Sequence, residues 1–307
     1  VVTSNTAYEW EGARIGNSSA NLTGSNVFHG LMGFFKIAVA GDSLLYTNNY
    51  NEQRQLIYRA PLANVQEPHP LLGKGSVTRY VAADAERVYW SALDAHEGRT
   101  FVYATQLSDD REASFAEGTP VEVTYGMTYA SALNVQPGPD ANISGLARSG
   151  DHLFVARRRL GTITVVDVAG DGNVVAVLGG YDAPRELTAD GRGNLWVVTG
   201  DATVARYPIG PDGALGAADR TLAGLEQPIA LAASPAGDTL AVCDAGTRQQ
   251  IRFFATADGA EGAPFGERGG YANGPEVRYD KFYFSDQKTL SANPDIWTPQ
   301  LDRGGIA

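Results

Sequence analysis

The sequence predicts an all-β protein, a β-propeller of four-stranded blades, and its repeats lead to that prediction. One phrase recurs along the chain: an apolar run, a tight turn rich in Gly and Asp, and a second apolar run. The turn residues fall at intervals of 42, 67, 39, 48 and 42 residues. Strand-built repeats of roughly 40–50 residues are typical of propellers. The turn residues are Asp42, Asp84, Asp151, Asp190, Asp238 and Asp280.

Additional apolar runs supply the remaining strands of each predicted blade. A third run follows each of the first five copies and alternates or is continuously apolar, as half-buried strands are. Several of these runs end in Asp-Gly turns, which suit hairpins, and a weaker fourth run follows at residues 174–178. The third runs occupy residues 54–59, 99–104, 161–167, 202–207 and 248–254.

The repeat also predicts the organisation of the chain. Residues 1–27 form a lead-in with a possible ring-closing edge strand at residues 8–16, and residues 28–307 form the propeller. An insertion at residues 118–141 explains the long interval. Five blades are clear, and six is the preferred count. The sixth is either irregular or cut short in a longer polypeptide with further domains, and we favour the second. The blades are predicted near residues 33–73, 77–126, 142–180, 183–225, 227–270 and 275–307.

The repeats resemble NHL-type propellers over about residues 30–285. The best match is the segment 248–254, followed by Asp258-Gly259 and by residues 265–270. This resemblance implies the propeller fold. Its implication for function is broad, because such propellers include protein binders, glycan binders, RNA binders and enzymes.

Composition narrows the possible functions. The net charge of −11 argues against a general nucleic-acid partner, because phosphates require a basic face. No run of eighteen apolar residues is present, so no membrane span is predicted. The single cysteine, Cys243, excludes an internal disulfide and suits a buried strand position. A lead-in rich in Ser, Thr and Asn and a composition of bacterial character predict a secreted, periplasmic or cell-surface protein.

Basic side chains are predicted to surround the central channel. In a propeller, the segments that precede the innermost strands lie at the channel mouth, together with the turns that follow the second strands. If the basic side chains of these segments and turns converge there, their guanidinium groups are suited to binding carboxylate or phosphate groups. Solvated loop arginines paired with acidic residues are the alternative. The first group is Lys36, Arg79, Arg185 and Arg278, and the second is Arg54, Arg157, Arg158, Arg159 and Arg248.

Aromatic residues accompany these basic residues. Flat rings stack on sugars, and with arginines they predict an acidic glycan as ligand, although packing between blades explains them equally simply. They are Phe34, Phe35, Tyr50, Tyr129, Tyr181 and Tyr271.

Metal binding has weaker support in the sequence. Asp167, Asp171 and Asn173 supply oxygen ligands at a spacing that would suit a structural Ca²⁺, although a hairpin turn explains the same residues. No cofactor is otherwise predicted. Residues 228–244 resemble metal-dependent lactonases of the gluconolactonase type. The position of a ligating Asn is taken here by Ile229, and only Asp244 remains.

Catalytic motifs are scarce. No Gly-x-Ser-x-Gly sequence is present. His29 and His96 are the histidines that could reach the channel mouth, and a histidine base needs a partner in space.

The sequence therefore predicts a secreted recognition domain rather than an enzyme. Its ligand would be an anionic glycan, a surface polymer or a protein, bound on the loop face. The alternatives are a metal-assisted lyase or hydrolase acting on a polysaccharide or lactone, and a structural spacer in a larger surface protein.

Overall fold

A computed structural model of the chain shows an antiparallel β protein. No helix in the described part of the chain has the length and hydropathy to span a bilayer. The described residues are 2–3, 9–10, 13–14, 34–48, 56–62, 69–71, 77–94, 99–107, 143–169, 172, 174–248, 250–265 and 304–305.

Two short strand pairs lie outside the main sheets. Strand β1 (Val2–Thr3) pairs with β22 (Gly304–Gly305), and β2 (Glu9–Trp10) pairs with β3 (Ala13–Arg14). Within residues 8–16, predicted to provide an edge strand, the two described strands pair with each other.

Five larger sheets follow one another along the chain, and neighbouring strands in each are consecutive in sequence. Blade 1 comprises β4 (Phe34–Ala40), β5 (Ser43–Asn48), β6 (Leu56–Pro61) and β7 (His69–Leu71). Blade 2 comprises β8 (Val77–Ala83), β9 (Arg87–Asp94) and β10 (Arg99–Gln106). Blade 3 comprises β11 (Ile143–Ser149), β12 (His152–Arg157), β13 (Thr162–Asp167) and β14 (Val174–Gly179).

The remaining two sheets complete the described blades. Blade 4 comprises β15 (Arg185–Ala189), β16 (Asn194–Thr199), β17 (Thr203–Pro208) and β18 (Arg220–Leu222). Blade 5 comprises β19 (Pro228–Ala233), β20 (Thr239–Asp244) and β21 (Gln250–Ala255), and isolated bridges join β21 to Glu261 and Phe265.

The first strand of each blade contacts the first strand of the next, which makes these five strands the inner strands. Contacts run from β4 to β8, β11, β15 and β19 in turn, and β22 contacts both β19 and β4. Blades that follow one another around a central axis in this way form a β-propeller, so the predicted fold class is confirmed. Most of the predicted sixth blade, at residues 275–307, lies outside the described residues.

The apolar core lies between successive blades. One cluster joins Trp90 of blade 2 to Leu45 of blade 1, and another joins Trp196 of blade 4 to Phe254 of blade 5. Two further clusters fill the interfaces between blades 2 and 3 and between blades 3 and 4. Both tryptophans are fully buried, and truncating such a side chain in a core typically costs about 3–5 kcal/mol.

Every described inner strand is irregular near its beginning. A register shift against the second strand falls between Phe34 and Ile37, Thr78 and Val81, Ile143 and Gly145, Arg185 and Leu187, and Pro228 and Ala230. Each shift places one extra residue on the inner strand, which is a β-bulge. In blade 2, Tyr80 lies in the bulge, and its amide donates a 3.0 Å hydrogen bond to the Ser91 hydroxyl.

We call the end of the propeller where the inner strands begin the mouth, and the opposite end the base. At the base, arginines connect neighbouring blades. Arg87 donates to the Val168 carbonyl at 2.9 Å, which joins blade 2 to blade 3. Arg192 donates to the Ala236 carbonyl at 2.7 Å, which joins blade 4 to blade 5. Arginines of the base are therefore structural ties.

Candidate functional site

The three consecutive arginines of blade 3 lie in the turn between β12 and β13, at the mouth. Arg157 ends β12 and is buried, Arg158 is half-buried, and Arg159 is exposed. Gly161 closes the turn with a φ of 61°, a value that L side chains rarely adopt, and its amide donates to the Arg158 carbonyl at 3.2 Å. The turn presents its guanidinium groups from a fixed backbone.

Arg185 lies beside this turn, at the first position of inner strand β15. Its Nη2 donates a 2.8 Å hydrogen bond to the carbonyl oxygen of Asp201, in the next turn around the mouth. The carboxylate of Asp201 lies 3.9 Å from Nη2 of Arg158, and its side chain is 97% exposed. Two arginines from neighbouring blades thus contact one aspartate. We call Arg158, Arg185 and Asp201 the arginine site.

The backbone next to the arginine site is strained. Within the described chain, the non-glycine residues with positive φ are Ala183, at 43°, and Glu186, at 31°. Both flank Arg185, and Glu186 lies in the bulge of its strand. Such strain costs of order 1–3 kcal/mol per residue and persists where the surrounding structure enforces it.

Contacts from blade 3 hold this strained segment. The Ser144 hydroxyl donates a 2.7 Å hydrogen bond to the Pro184 carbonyl. A Cβ added to Gly145 would lie 2.9 Å from the Glu186 nitrogen, so the two inner strands approach closely here. The position of Arg185 is therefore fixed by packing from the neighbouring blade.

Arg248 was predicted to join the same basic group, and the structure places it in blade 5 with an acidic partner. Its Nη1 lies 3.1 Å from Oε1 of Glu261. Glu261 also receives two hydrogen bonds from Arg252, at 2.8 and 2.7 Å, and these hold the pKa of the Glu261 carboxyl below its ordinary value. Arg248 thus belongs to an ion-pair network of blade 5.

Asp244, a candidate metal ligand in the sequence, is fully buried in this network. Its carboxylate accepts hydrogen bonds from Nη1 of Arg252 at 3.0 Å and from the Gln227 amide at 2.7 Å. Longer bonds come from the amides of Glu226 and Gly246. These donors engage the carboxylate, and no described group of three ligating side chains could hold a metal ion.

The structure describes the other predicted site residues to different extents. Asp167 accepts a 3.0 Å hydrogen bond from the Ala169 amide in a turn at the base. The strands that carry Lys36, Phe35 and Arg79 are described, but their side chains lie outside the described part. The remaining predicted site residues also lie outside it: Arg54, Arg278, Tyr50, Tyr129, Tyr271, His29, His96, Asp171 and Asn173.

Tyr181 is the fully described member of the predicted aromatic set. Its ring packs edge-on against Tyr207, with centroids 5.3 Å apart and an interplanar angle of 74°. Burial raises the pKa of the Tyr181 phenol to about 12. The ring is therefore part of the packing between blades 3 and 4.

Sequence reasoning missed Asp201. It follows Gly200 in the turn after a second strand, the class of turn that supplies the predicted basic residues, but it is acidic and so does not belong to that predicted set. Its position relative to Arg158 depends on two blades meeting, which local sequence does not encode.

One solved structure with a TM-score above 0.5 supports the fold, and two others are similar to a lesser degree. A chain in the crystal structure of a nidogen/laminin complex has a TM-score of 0.53 at 15% identity, covering 86% of this chain and 92% of that one. The β-propeller domain of Myceliophteria_thermophila Cps50 (Swd1) has a TM-score of 0.49 at 10% identity, covering 77% and 75%. A chain of a mitotic checkpoint complex also gives 0.49 at 10% identity, covering 78% and 69%. Similarity at these identities concerns the fold alone.

No protein-family profile matches the sequence, and no curated protein matches it. The expected membership of the NHL-type family is therefore not confirmed. The five described blades and the order of their inner strands define a β-propeller.

Proposed function

We propose that this protein is a recognition domain that binds an anionic ligand at the arginine site. The observation that carries the proposal is the convergence of Arg158 and Arg185, from two blades, on Asp201. Guanidinium groups bind carboxylates and phosphates through charge-assisted hydrogen bonds, which are about twice as strong as neutral ones. Arg158 already faces the carboxylate of Asp201, and Arg185 contacts its carbonyl oxygen, so the site has the chemistry to bind an anionic oxygen.

The ion pair between Arg158 and Asp201, which a ligand anion would displace, is weak because it is exposed to solvent. The Arg158 side chain is 41% exposed and that of Asp201 is 97% exposed, and their charged atoms are 3.9 Å apart. Exposed ion pairs of this kind contribute only about 0–1 kcal/mol to stability. An incoming anion therefore competes with a weak interaction.

Backbone strain supports the same location for the binding site. Non-glycine residues with positive φ concentrate at binding and catalytic sites, where the surrounding structure maintains them. Ala183 and Glu186 flank Arg185, and the Ser144 hydrogen bond holds their segment. No group of described residues specifically favours the metal-assisted lyase or hydrolase, or the spacer, over this binding function.

The test compares anion binding by the native protein and by the double variant Arg158→Ala/Arg185→Ala. Probes are the short anions triglutamate, trigalacturonate and pyrophosphate, measured by titration calorimetry at fixed ionic strength. Hydrogen bonds to charged groups contribute about 1.5–3 kcal/mol each, so we expect the double variant to bind at least tenfold more weakly. Arg192→Ala, which removes an arginine at the base, is the matched control and should bind as the native protein does.

Two results would overturn the proposal. One is a native protein that binds none of the three probes. The other is a double variant that is folded and retains native affinity. Circular dichroism of each variant verifies that the blades are intact.

We also propose that the protein acts outside the cytoplasm. The support is the Ser-, Thr- and Asn-rich segment at residues 3–26, which is typical of extracellular propellers. Fractionation of the source cells tests this proposal, and recovery of the protein from the cytoplasmic fraction alone would refute it.

A further inference from the structure

We infer that Asp201 is an internal competitor for the ligand, and that the ligand is a segment of a partner protein carrying sparse Asp or Glu side chains. The inference rests on the proposed function, because it concerns the same arginine site. The carboxylate of Asp201 occupies the position beside Arg158 that a ligand carboxylate takes when it binds.

The backbone of Asp201 is anchored while its side chain is exposed. The carbonyl oxygen receives the hydrogen bond from Arg185, and the preceding amide, of Gly200, donates to the Asp182 carbonyl at 2.7 Å. Gly200 itself adopts a φ of 57° and lies against the Asp182 side chain, so the turn is tightly set. The turn is held by its backbone, so the carboxylate is the part of Asp201 that can move away from Arg158.

A ligand carboxylate at Arg158 would lie close to Asp201 unless Asp201 moved away. Two carboxylates that share a site repel each other, which disfavours the doubly charged arrangement. Asp201 therefore weakens the binding of an anion, and it does so more the more strongly its carboxylate interacts with Arg158. Because this interaction is an exposed contact of 3.9 Å, the loss of ligand affinity is small, and the site can still bind an anion.

Charge favours a ligand with few carboxylates. The whole chain has a net charge of −11, so a dense polyanion is repelled at long range. The arginine site offers two guanidinium groups, and Arg159 is exposed in the adjoining turn, whereas Arg157 is buried. A partner segment with two or three acidic side chains matches this number, and its neutral remainder avoids the repulsion.

Tyr181, the described aromatic residue of the predicted set beside the arginine site, does not offer a sugar platform. Sugar recognition by aromatic residues needs an accessible ring face, and Tyr181 instead packs edge-on against Tyr207 between blades. Among the described residues of the arginine site, the ligand-facing chemistry is guanidinium and carboxylate. These groups recognise acidic side chains of a protein directly, which favours a protein segment over a uronate glycan.

The test measures binding of a twelve-residue peptide with three Glu side chains in a Gly/Ser background. Its Gln counterpart and trigalacturonate are tested in parallel. We expect Asp201→Ala to bind the Glu peptide about two- to fivefold more tightly than the native protein, which corresponds to removing an exposed ion pair of up to about 1 kcal/mol. Asp201→Lys, which adds a cation, should bind it at least tenfold more tightly.

Asp258→Ala is the matched control. Asp258 is an exposed carboxylate in a turn at the base, so its removal changes the net charge equally without touching the arginine site. We expect it to leave peptide affinity within about 1.5-fold of native, since surface pairs at a distance are screened. The Gln peptide should not bind measurably, and trigalacturonate should bind more weakly than the Glu peptide.

The outcomes separate this inference from the proposed function. If Arg158→Ala/Arg185→Ala weakens Glu-peptide binding but Asp201→Ala matches the native protein, the competitor role is wrong and the anion site stands. If trigalacturonate binds more tightly than the Glu peptide, the partner is a uronate glycan and the protein-segment inference fails. If the arginine double variant retains native affinity for every probe, the proposed function itself fails.

Discussion

The guanidinium of Arg252 and the carboxylate of Asp244 form a buried ion pair in blade 5, with Nη1 and Oδ2 3.0 Å apart. The two side chains are 1% and 0% exposed. Arg252 also donates to the Gly224 carbonyl, and Asp244 accepts from the Gln227 amide. One pair of opposite charges therefore connects strands β20 and β21 to the segment that precedes inner strand β19.

Asp244→Ala should strongly destabilise the protein. The change leaves Arg252 without its most buried counterion and leaves the amides of Glu226 and Gln227 without their carboxylate acceptor. Removing one partner of a buried pair costs about 3–5 kcal/mol. Urea unfolding followed by tryptophan fluorescence measures the change, and Asp201→Ala, at an exposed position, should stay within about 0.5 kcal/mol of native.

The same comparison tests Asp244 as a metal ligand. If the carboxylate is structural, EDTA leaves the native urea midpoint unchanged. A midpoint that falls with EDTA, together with a variant of near-native stability, contradicts the structural role.

Glu261 should make the protein sensitive to acid. Hydrogen bonds from Arg252 lower the pKa of its carboxyl from the ordinary value of 4.5. A lowered folded-state pKa means that the stabilisation is present above 4.5 and is lost as the pH falls through the folded-state pKa. Thermal melts from about pH 7 to pH 3 should show a lower Tm for Glu261→Gln at neutral pH and convergence with native at acid pH. Melting curves that stay parallel over this range would refute the assignment.

Gly145→Ala should strain the interface between the inner strands of blades 3 and 4. The added Cβ would lie 2.9 Å from the Glu186 nitrogen and 3.1 Å from Cγ of Leu187. Overpacking of this kind costs about 1–3 kcal/mol, measured by urea unfolding. Gly179→Ala, whose Cβ would meet nothing within 4 Å, is the control, and equal stability of the two variants would contradict the close approach.

Arg206→Lys should weaken the contact between blades 4 and 5. The guanidinium binds both carboxylate oxygens of Asp219, at 2.7 and 2.9 Å, and donates to the Thr256 carbonyl at 2.7 Å. It also lies over the Trp196 ring, 5.6 Å from the centroid. An ammonium cannot reproduce this fork, so we expect a loss of about 1–3 kcal/mol in the free energy of unfolding. Arg158→Lys, at the exposed 3.9 Å pair, should be neutral, and a neutral Arg206→Lys would show that the fork contributes little.

The fold could be predicted from the repeat because each copy is recognised from residues that lie close together in the sequence. Asp190 illustrates this: its carboxylate accepts hydrogen bonds from the amides of Arg192 and Asn194, two and four residues away. A turn of this kind is recognisable in the sequence, and so are the apolar runs on either side. Five copies of the phrase therefore indicated a propeller, whereas the blade count depends on residues outside the described part.

The candidate site was only partly predictable. Arg158 and Arg185 were chosen because their turns belong at the mouth, and the structure brings both to Asp201. Arg87 is chemically identical but lies at the base, tied to a carbonyl 81 residues away. Composition cannot distinguish an arginine of the mouth from one that ties two blades together at the base, because the difference depends on which blade lies beside it.

The bulges at the beginnings of the inner strands have a consequence for engineering. Each inner strand is regularly paired from its bulge to the base, and the extra residue lies towards the mouth. The bulge therefore offsets the residues that precede it by one position from the register that aligns the core below. A loop inserted ahead of these segments should extend the mouth without changing that register, provided that Ile143, which precedes its bulge and packs in the core, is kept.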